Sequence, residues 1–318
     1  MKHRVVLIAL ALVLQTLAPS VLSSPRYVIY YNSVATPLNA LVGTPYTHVI
    51  LSFVRPVIEA DGSVGLIHPP KLQPWPDLSE LKKDGKKVMI SFGGGLSGNA
   101  DYVPIIGHEA ELATSLASFV RKYQLDGVDI DFEVSESFHT ERPAGVIDGR
   151  QFLIRLTEAL RQHLPAPRYL ISHAPQPPYL DKSWHGGPYL DVIAKVGQDI
   201  DWLAVQYYDN PGFDLPTDSH VVGAGKTPFV TSYISLVEHP SGPNWPSTKL
   251  LVGKPVYKAD AANGHIAPTD VIEHIITPLK KRYGDAFGGL MGWQFSDLTA
   301  DHRAWNSEVG SALLEPSQ

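Results

Sequence analysis

The stretch LDGVDIDFEVSES, residues 125–137, decides the fold. Asp126, Asp129, Asp131 and Glu133 are crowded together and interleaved with Val128, Ile130 and Phe132. Asp is depleted from strands, yet the alternation of apolar and polar residues is that of a strand. Such a strand sends Asp129, Asp131 and Glu133 to one side and the three apolar residues to the other. A parallel barrel satisfies both faces. The apolar side meets the surrounding helices, and the acids climb the interior to the C-terminal mouth.

Working outward from this strand, seven more β-like runs occur: YVIYY (27–31), HVILSFV (48–54), KVMISF (87–92), YLIS (169–172), WLAVQYY (202–208), LLVGKP (250–255) and GLMGWQF (289–295). Amphipathic segments at Glu109–Tyr123, Gly149–His163 and Thr269–Tyr283 predict helices between them. Apolar strands alternating with helices predict a parallel sheet, and eight such units predict a single (β/α)8 TIM barrel. About a dozen residues separate Pro255 from the helix that follows, an ordinary loop length. An α+β insertion has no room there, so the groove is expected to be open.

Three carboxylates on one strand face stand roughly 6–7 Å apart at the backbone. They cannot all ionise cheaply, so at least one is expected to hold a proton near neutral pH. Glu133, outermost and longest, is the natural general acid. A calcium site is the competing reading, but calcium draws its ligands from loops rather than from alternate strand positions. Asp126 is expected to serve structure at the start of the strand.

The 318 residues carry a net charge of −6 and no long basic block, which excludes nucleic acid or an anionic membrane as the main partner. A neutral substrate suits this balance. Lys2, His3 and Arg4 precede an apolar run from Val5 to Leu14, too short to span a bilayer. Residues 1–23 therefore read as a signal peptide and residues 24–318 as one catalytic domain, secreted or, in a Gram-negative cell, periplasmic. The chain has no cysteine, which rules out thiolate catalysis and cysteine-based zinc sites. GGGLSG at 93–98 formally satisfies a dinucleotide fingerprint, but Asn99–Gly107, with Pro104, reads as a loop rather than the required helix. The His residues show no HExxH spacing, so neither metal nor cofactor is expected.

Asp126–Glu133 resembles the DxxDxDxE motif of glycoside hydrolase family 18, the chitinase family. KVMISFGGG (87–95), APQPPYLD (174–181), VQYYDNP (205–211) and GGLMGWQF (288–295) are similar to further motifs of its hevamine-like, class III group. The resemblance runs from about Tyr27 to Trp293. It implies retaining, substrate-assisted hydrolysis of β-1,4-linked N-acetylglucosamine polymers, in which the substrate acetamide replaces a second carboxylate. Glu133 would be the acid and base, Asp131 would orient the acetamide, and Asp129 would tune Asp131. Tyr208 and Gln206 match residues around the same acetamide, and Trp293 matches the floor beneath the distorted sugar. Tyr30, Gly93, Gly94 and Gln176 match residues of the substrate site. On residue type alone, Tyr30 and Tyr208 could be core aromatics and Trp293 more often is, but its place at the C-terminal end of the last strand tilts Trp293 toward function. The resemblance also implies cis peptides at Ser52–Phe53 and Trp293–Gln294.

The expected partner is chitin or chitooligosaccharide, cleaved internally by a monomer. An endo-β-N-acetylglucosaminidase or a peptidoglycan hydrolase on the same fold remains an alternative. So does a non-catalytic chitin-binding lectin or inhibitor, although such relatives typically lose the terminal glutamate.

Overall fold

The computed structural model describes residues 25–33, 35–213, 218–224 and 228–316. The segment read as a signal peptide lies outside them. Strands β1 (Arg26–Tyr31), β2 (His48–Ile58), β3 (Val64–Ile67), β4 (Lys87–Gly93), β5 (Gly127–Asp131), β6 (Leu170–His173), β7 (Trp202–Gln206), β8 (Leu250–Pro255) and β9 (Gly289–Trp293) form one sheet. Eight are parallel and β1 pairs with both β2 and β9, so the sheet closes into a (β/α)8 barrel. The eight sequence runs correspond to these strands. The additional β3 pairs antiparallel with the far end of β2, Arg55 facing Ile67, and makes a hairpin that rises beyond the barrel wall. Its four residues are too few for a clear alternating pattern.

Two cores follow from the alternation of strand side chains. Val28, Tyr30, Ile50, Met89, Trp202, Ala204, Leu251 and Met291 fill the barrel with Tyr208. A larger layer, including Val128, Ile130 and Phe132, packs between the sheet and the helices. The helix Glu109–Lys122 buries Leu112, Ala113, Leu116, Ala117 and Val120 as one stripe, with acids in its first turn and bases in its last. The helix Gly149–His163 is capped by Asp148, which accepts from the Gln151 N–H at 3.2 Å.

Helical backbone runs from Pro268 to Tyr283, but Ile272–Ile276 winds as a wide turn. Pro278 lacks the N–H that would reach back to His274, and the widened turn accommodates the lost bond. The reading of Asn99–Gly107 as a loop is corrected. Asn99–Tyr102 forms a helical turn, with the Asp101 carboxylate accepting from the Gly98 N–H at 2.9 Å, and Val103–Ile105 a 3₁₀ turn. Pro104 falls where a helical start tolerates it, which the sequence reading took for a break. Both Ser52–Phe53 and Trp293–Gln294 are cis, as the resemblance implies.

The strand that carries the acids is pinned at its start. Asp126 accepts from the Val88 N–H at 2.9 Å and pairs with Lys87 at 3.2 Å. Gly127 follows because a Cβ there would stand 2.0 Å from the Leu170 carbonyl oxygen of β6. Replacing Gly127 with Ala is expected to force β5 and β6 apart and cost about 3 kcal/mol of stability, read from urea unfolding. A cost below about 0.5 kcal/mol would show that the contact is not rigid.

Candidate active site

Parallel register explains the environment of Asp129. Ser91 on β4 and Ser172 on β6 stand level with it, so both hydroxyls face the barrel interior beside it. Ser91 donates at 2.7 Å, Ser172 at 2.6 Å, and the Tyr30 hydroxyl at 2.7 Å. Asp129 is fully buried and paired with three neutral donors. Burial raises its proton affinity, and the hydroxyls offset part of that rise.

Two residues higher, Asp131 is buried and hydrogen-bonded to Glu133. The Gln206 side chain donates to Asp131 Oδ1 at 2.8 Å and to the Ala174 carbonyl at 2.8 Å, which fixes the carboxyl from the opposite side. Burial, then the negative charges of Glu133 and Asp129, push Asp131 well above the usual carboxylate range. Glu133 is raised as well, chiefly by burial, and it accepts from Gln176 Nε2 at 3.3 Å. Asp131 and Glu133 are therefore a coupled pair that holds a proton more tightly than ordinary carboxylates do. Both line the cavity at the mouth of the barrel.

The cavity, about 330 Å³, is lined by Asp131, Glu133, Gln206, Tyr208, Trp293 and Gly93. The Tyr208 hydroxyl makes no hydrogen bond among the described residues and borders this space. Trp293 is partly exposed, and its indole N–H is taken by the Asp260 carbonyl at 2.9 Å. Its ring centroid lies 5.8 Å from that of Phe53 and 5.7 Å from that of Tyr30. At Gly93, a Cβ would come within 2.3 Å of the Asp131 carbonyl oxygen, so close backbone packing of β4 on β5 requires glycine there.

Four residues expected in the site fall outside its lining: Asp129, buried in the barrel below, and Tyr30, Gly94 and Gln176. Tyr30 is placed beneath the cavity rather than on its wall, with its hydroxyl committed to Asp129. Gly94 makes room for the Phe53 ring, which a Cβ would approach at 2.9 Å. Gln176 reaches the cavity only through Glu133. Other residues were not singled out from the sequence. Asp209 has φ 54° and lines the cavity, and its Oδ1 accepts from the Ala262 and Asn263 N–H groups at 2.7 and 3.1 Å. Asn32, Phe53, Arg55 and Lys71 form a further wall, and Leu96, 93% exposed, stands on the rim. Asp209 lies within the quoted VQYYDNP motif, whereas the hairpin residues carry no local signal. Among the described residues, no cluster of three or more His, Asp or Glu could hold a metal ion, and no helix is long and apolar enough to cross a membrane.

A carboxyl pair at the C-terminal mouth of a (β/α)8 barrel defines a site for acid–base chemistry. Residues 26–299 match the model for glycosyl hydrolases family 18, and the chain belongs to that family. Chitinase D of Niallia circulans is 25% identical over 271 residues, 78% of this chain and 50% of its own. The chain spans between 40% and 50% of the length of the curated relatives it matches. Among solved structures, a GH18 chitinase from Pseudoalteromonas aurantia is 35% identical, with a TM-score of 0.74 over 90% of this chain and 99% of its own. A fungal endo-β-N-acetylglucosaminidase of the family shares the fold at 23% identity, with a TM-score of 0.67 over 92% of this chain and 99% of its own.

The raised carboxyls make a stability prediction. A carboxyl that binds its proton more tightly in the folded state adds stability below its ordinary titration range, near pH 4, and loses it as pH rises. Replacing Asp131 with Asn removes one such group. The difference in melting temperature between Asp131→Asn and wild type should therefore grow in favour of the variant from pH 4 to pH 8. A difference that is flat across this range would mean that Asp131 keeps an ordinary carboxylate titration.

Proposed function

We propose that the protein is a secreted, retaining chitinase that cleaves β-1,4-linked N-acetylglucosamine chains internally. Residues 24–318 form its catalytic domain, and residues 1–23 serve as its export signal. The observation that carries this reading is the coupled Asp131–Glu133 pair, both carboxyls raised, lining one cavity with the free Tyr208 hydroxyl and Trp293.

In this reading a sugar lies on Trp293 with its acetamide directed down toward Asp131 and Tyr208. One proton serves the pair. The acid step needs it on Glu133, facing the glycosidic oxygen, which leaves Asp131 anionic beside the acetamide N–H. Asp131 accepts that N–H, and Tyr208 donates to the acetamide. The acetamide carbonyl oxygen then attacks the anomeric carbon as the glycosidic bond breaks and Glu133 gives its proton to the leaving oxygen. The product of this step is an oxazolinium ion. Glu133, now a base, takes a proton from water, which opens the ring from the face the leaving group occupied and retains the configuration. Gln206 holds Asp131 in register throughout, and Asp129 nearby contributes to the raised proton affinity of Asp131.

The first test is the anomer released from chitin oligomers, followed directly by NMR. Wild type should release the β-anomer, and Glu133→Gln should lose about a thousandfold in rate while still binding substrate. Initial release of the α-anomer, or an undiminished Glu133→Gln variant, would overturn the mechanism. No cleavage at all would favour the lectin or inhibitor alternative. Removing the Tyr208 hydroxyl with Tyr208→Phe should lower kcat about tenfold, roughly 1.4 kcal/mol of transition-state stabilisation. An unchanged kcat would remove Tyr208 from the acetamide's surroundings.

A further inference from the structure

The cavity contains two cations that the chemistry above does not use. Arg55 follows Phe53 by two positions on β2; both line the cavity, whereas Val54 and Pro56 are buried. Lys71, exposed in the turn Pro70–Leu72, lines the same wall and donates to the Asn32 carbonyl at 3.0 Å. Arg55 is partly buried, and its side chain makes no hydrogen bond or ion pair among the described residues. The contrast with Arg161 is clear: that guanidinium is held by Asp201 and by the carbonyls of Asp199, Leu164 and Tyr169. Arg cannot shed its charge and offers a rigid fork of donors, so an unpaired one beside a cavity is available to a ligand.

Its position assigns it to a particular sugar. Phe53 stands beside Trp293, and so beside the sugar that rests there. Two strand residues further on is roughly 6–7 Å, close to the length of one more sugar. Glu133 belongs on the side of the leaving group, where Gly95 and Gln176 surround it. Arg55 stands on the hairpin instead, two positions beyond Phe53 on β2.

We propose that Arg55, supported by Lys71, reads the charge of the sugar next to the one on Trp293, on its non-reducing side. It admits a neutral N-acetylated unit and rejects a protonated glucosamine. An acetamide oxygen can accept from the guanidinium fork, whereas an ammonium group meets two like charges and has no carboxylate of its own on that wall. Asp131, Glu133 and Asp209 attract an ammonium, but they lie under the neighbouring sugar. Burial raises the proton affinity of Asp131 and Glu133, and Asp209 is engaged by two backbone N–H groups. The inference deepens the chitinase reading and depends on it.

The test is digestion of partially N-acetylated chitosan, with the two units before each new reducing end sequenced by mass spectrometry. The last unit reports on the proposed mechanism, since only an acetylated sugar can supply the acetamide nucleophile. Glucosamine at that position would sink the mechanism, whatever the second unit shows. The second unit reports on Arg55. Wild type should exclude glucosamine there relative to its frequency in the polymer, and more weakly at high salt, which screens the repulsion. Arg55→Gln should raise the glucosamine fraction about tenfold, equivalent to about 1.4 kcal/mol. Arg55→Lys should restore most of the exclusion. The exposed Lys71→Gln variant gives an independent reading and should move the fraction the same way by a smaller factor. If wild type admits glucosamine at the second unit as often as it occurs in the polymer, or if Arg55→Gln and Lys71→Gln both leave the fraction within twofold of wild type, the proposal fails.

Discussion

The structure depends on the burial of three carboxyl groups along one face of a single strand. Water would stabilise their charges, and the barrel interior does not, so each carboxyl must find another way to be tolerated. The solutions differ with depth. Asp129, at the bottom, is surrounded by hydroxyls from neighbouring strands and from across the barrel. Asp131, in the middle, leans on an amide and on its neighbour's proton. Glu133 reaches the cavity and remains partly exposed. The gradient runs from a carboxyl fully satisfied by hydroxyls to one that meets the cavity.

Much of this was legible in the sequence because β-strand geometry is strict. Once LDGVDIDF is read as a strand, the side to which each acid points follows, and so does the apolar layer outside. The serines that serve Asp129 were present in the strand runs at 87–92 and 169–172, but their role depends on register. Register between strands separated by whole helices is not written locally. The same limit hid Asp209, whose left-handed backbone and partners at Ala262 and Asn263 come from two distant loops. Tyr30 shows the reverse case, in which position along a strand was clear but height in the barrel was not. A residue one layer down touches the acids instead of the cavity.

The hairpin β2–β3 was the least legible element and, in the proposed reading, the most consequential for selectivity. Val64–Ile67 is short and the extension of β2 beyond Val54 contains Pro56, so neither segment carries a strong β signal. Yet this ribbon raises Arg55 above the barrel rim, where loops rather than barrel strands set what the groove accepts. Chemistry and selectivity thus sit on different parts of the scaffold. The acids belong to a strand held on both sides by parallel neighbours. The cations belong to an edge ribbon and a short turn.

The fixed indole of Trp293 has a separate effect. Its only polar group donates to the Asp260 carbonyl in the loop below, so the side chain presents a bare aromatic face to the cavity. Such a surface grips the apolar side of a pyranose ring by stacking and makes no directional bond to any hydroxyl. The floor therefore senses that a ring is flat against it and is blind to the pattern of hydroxyls around its edge. In the proposed function, stereochemical information about the bound sugar is collected by Asp131, Gln206 and Tyr208 and at the sides by the hairpin wall.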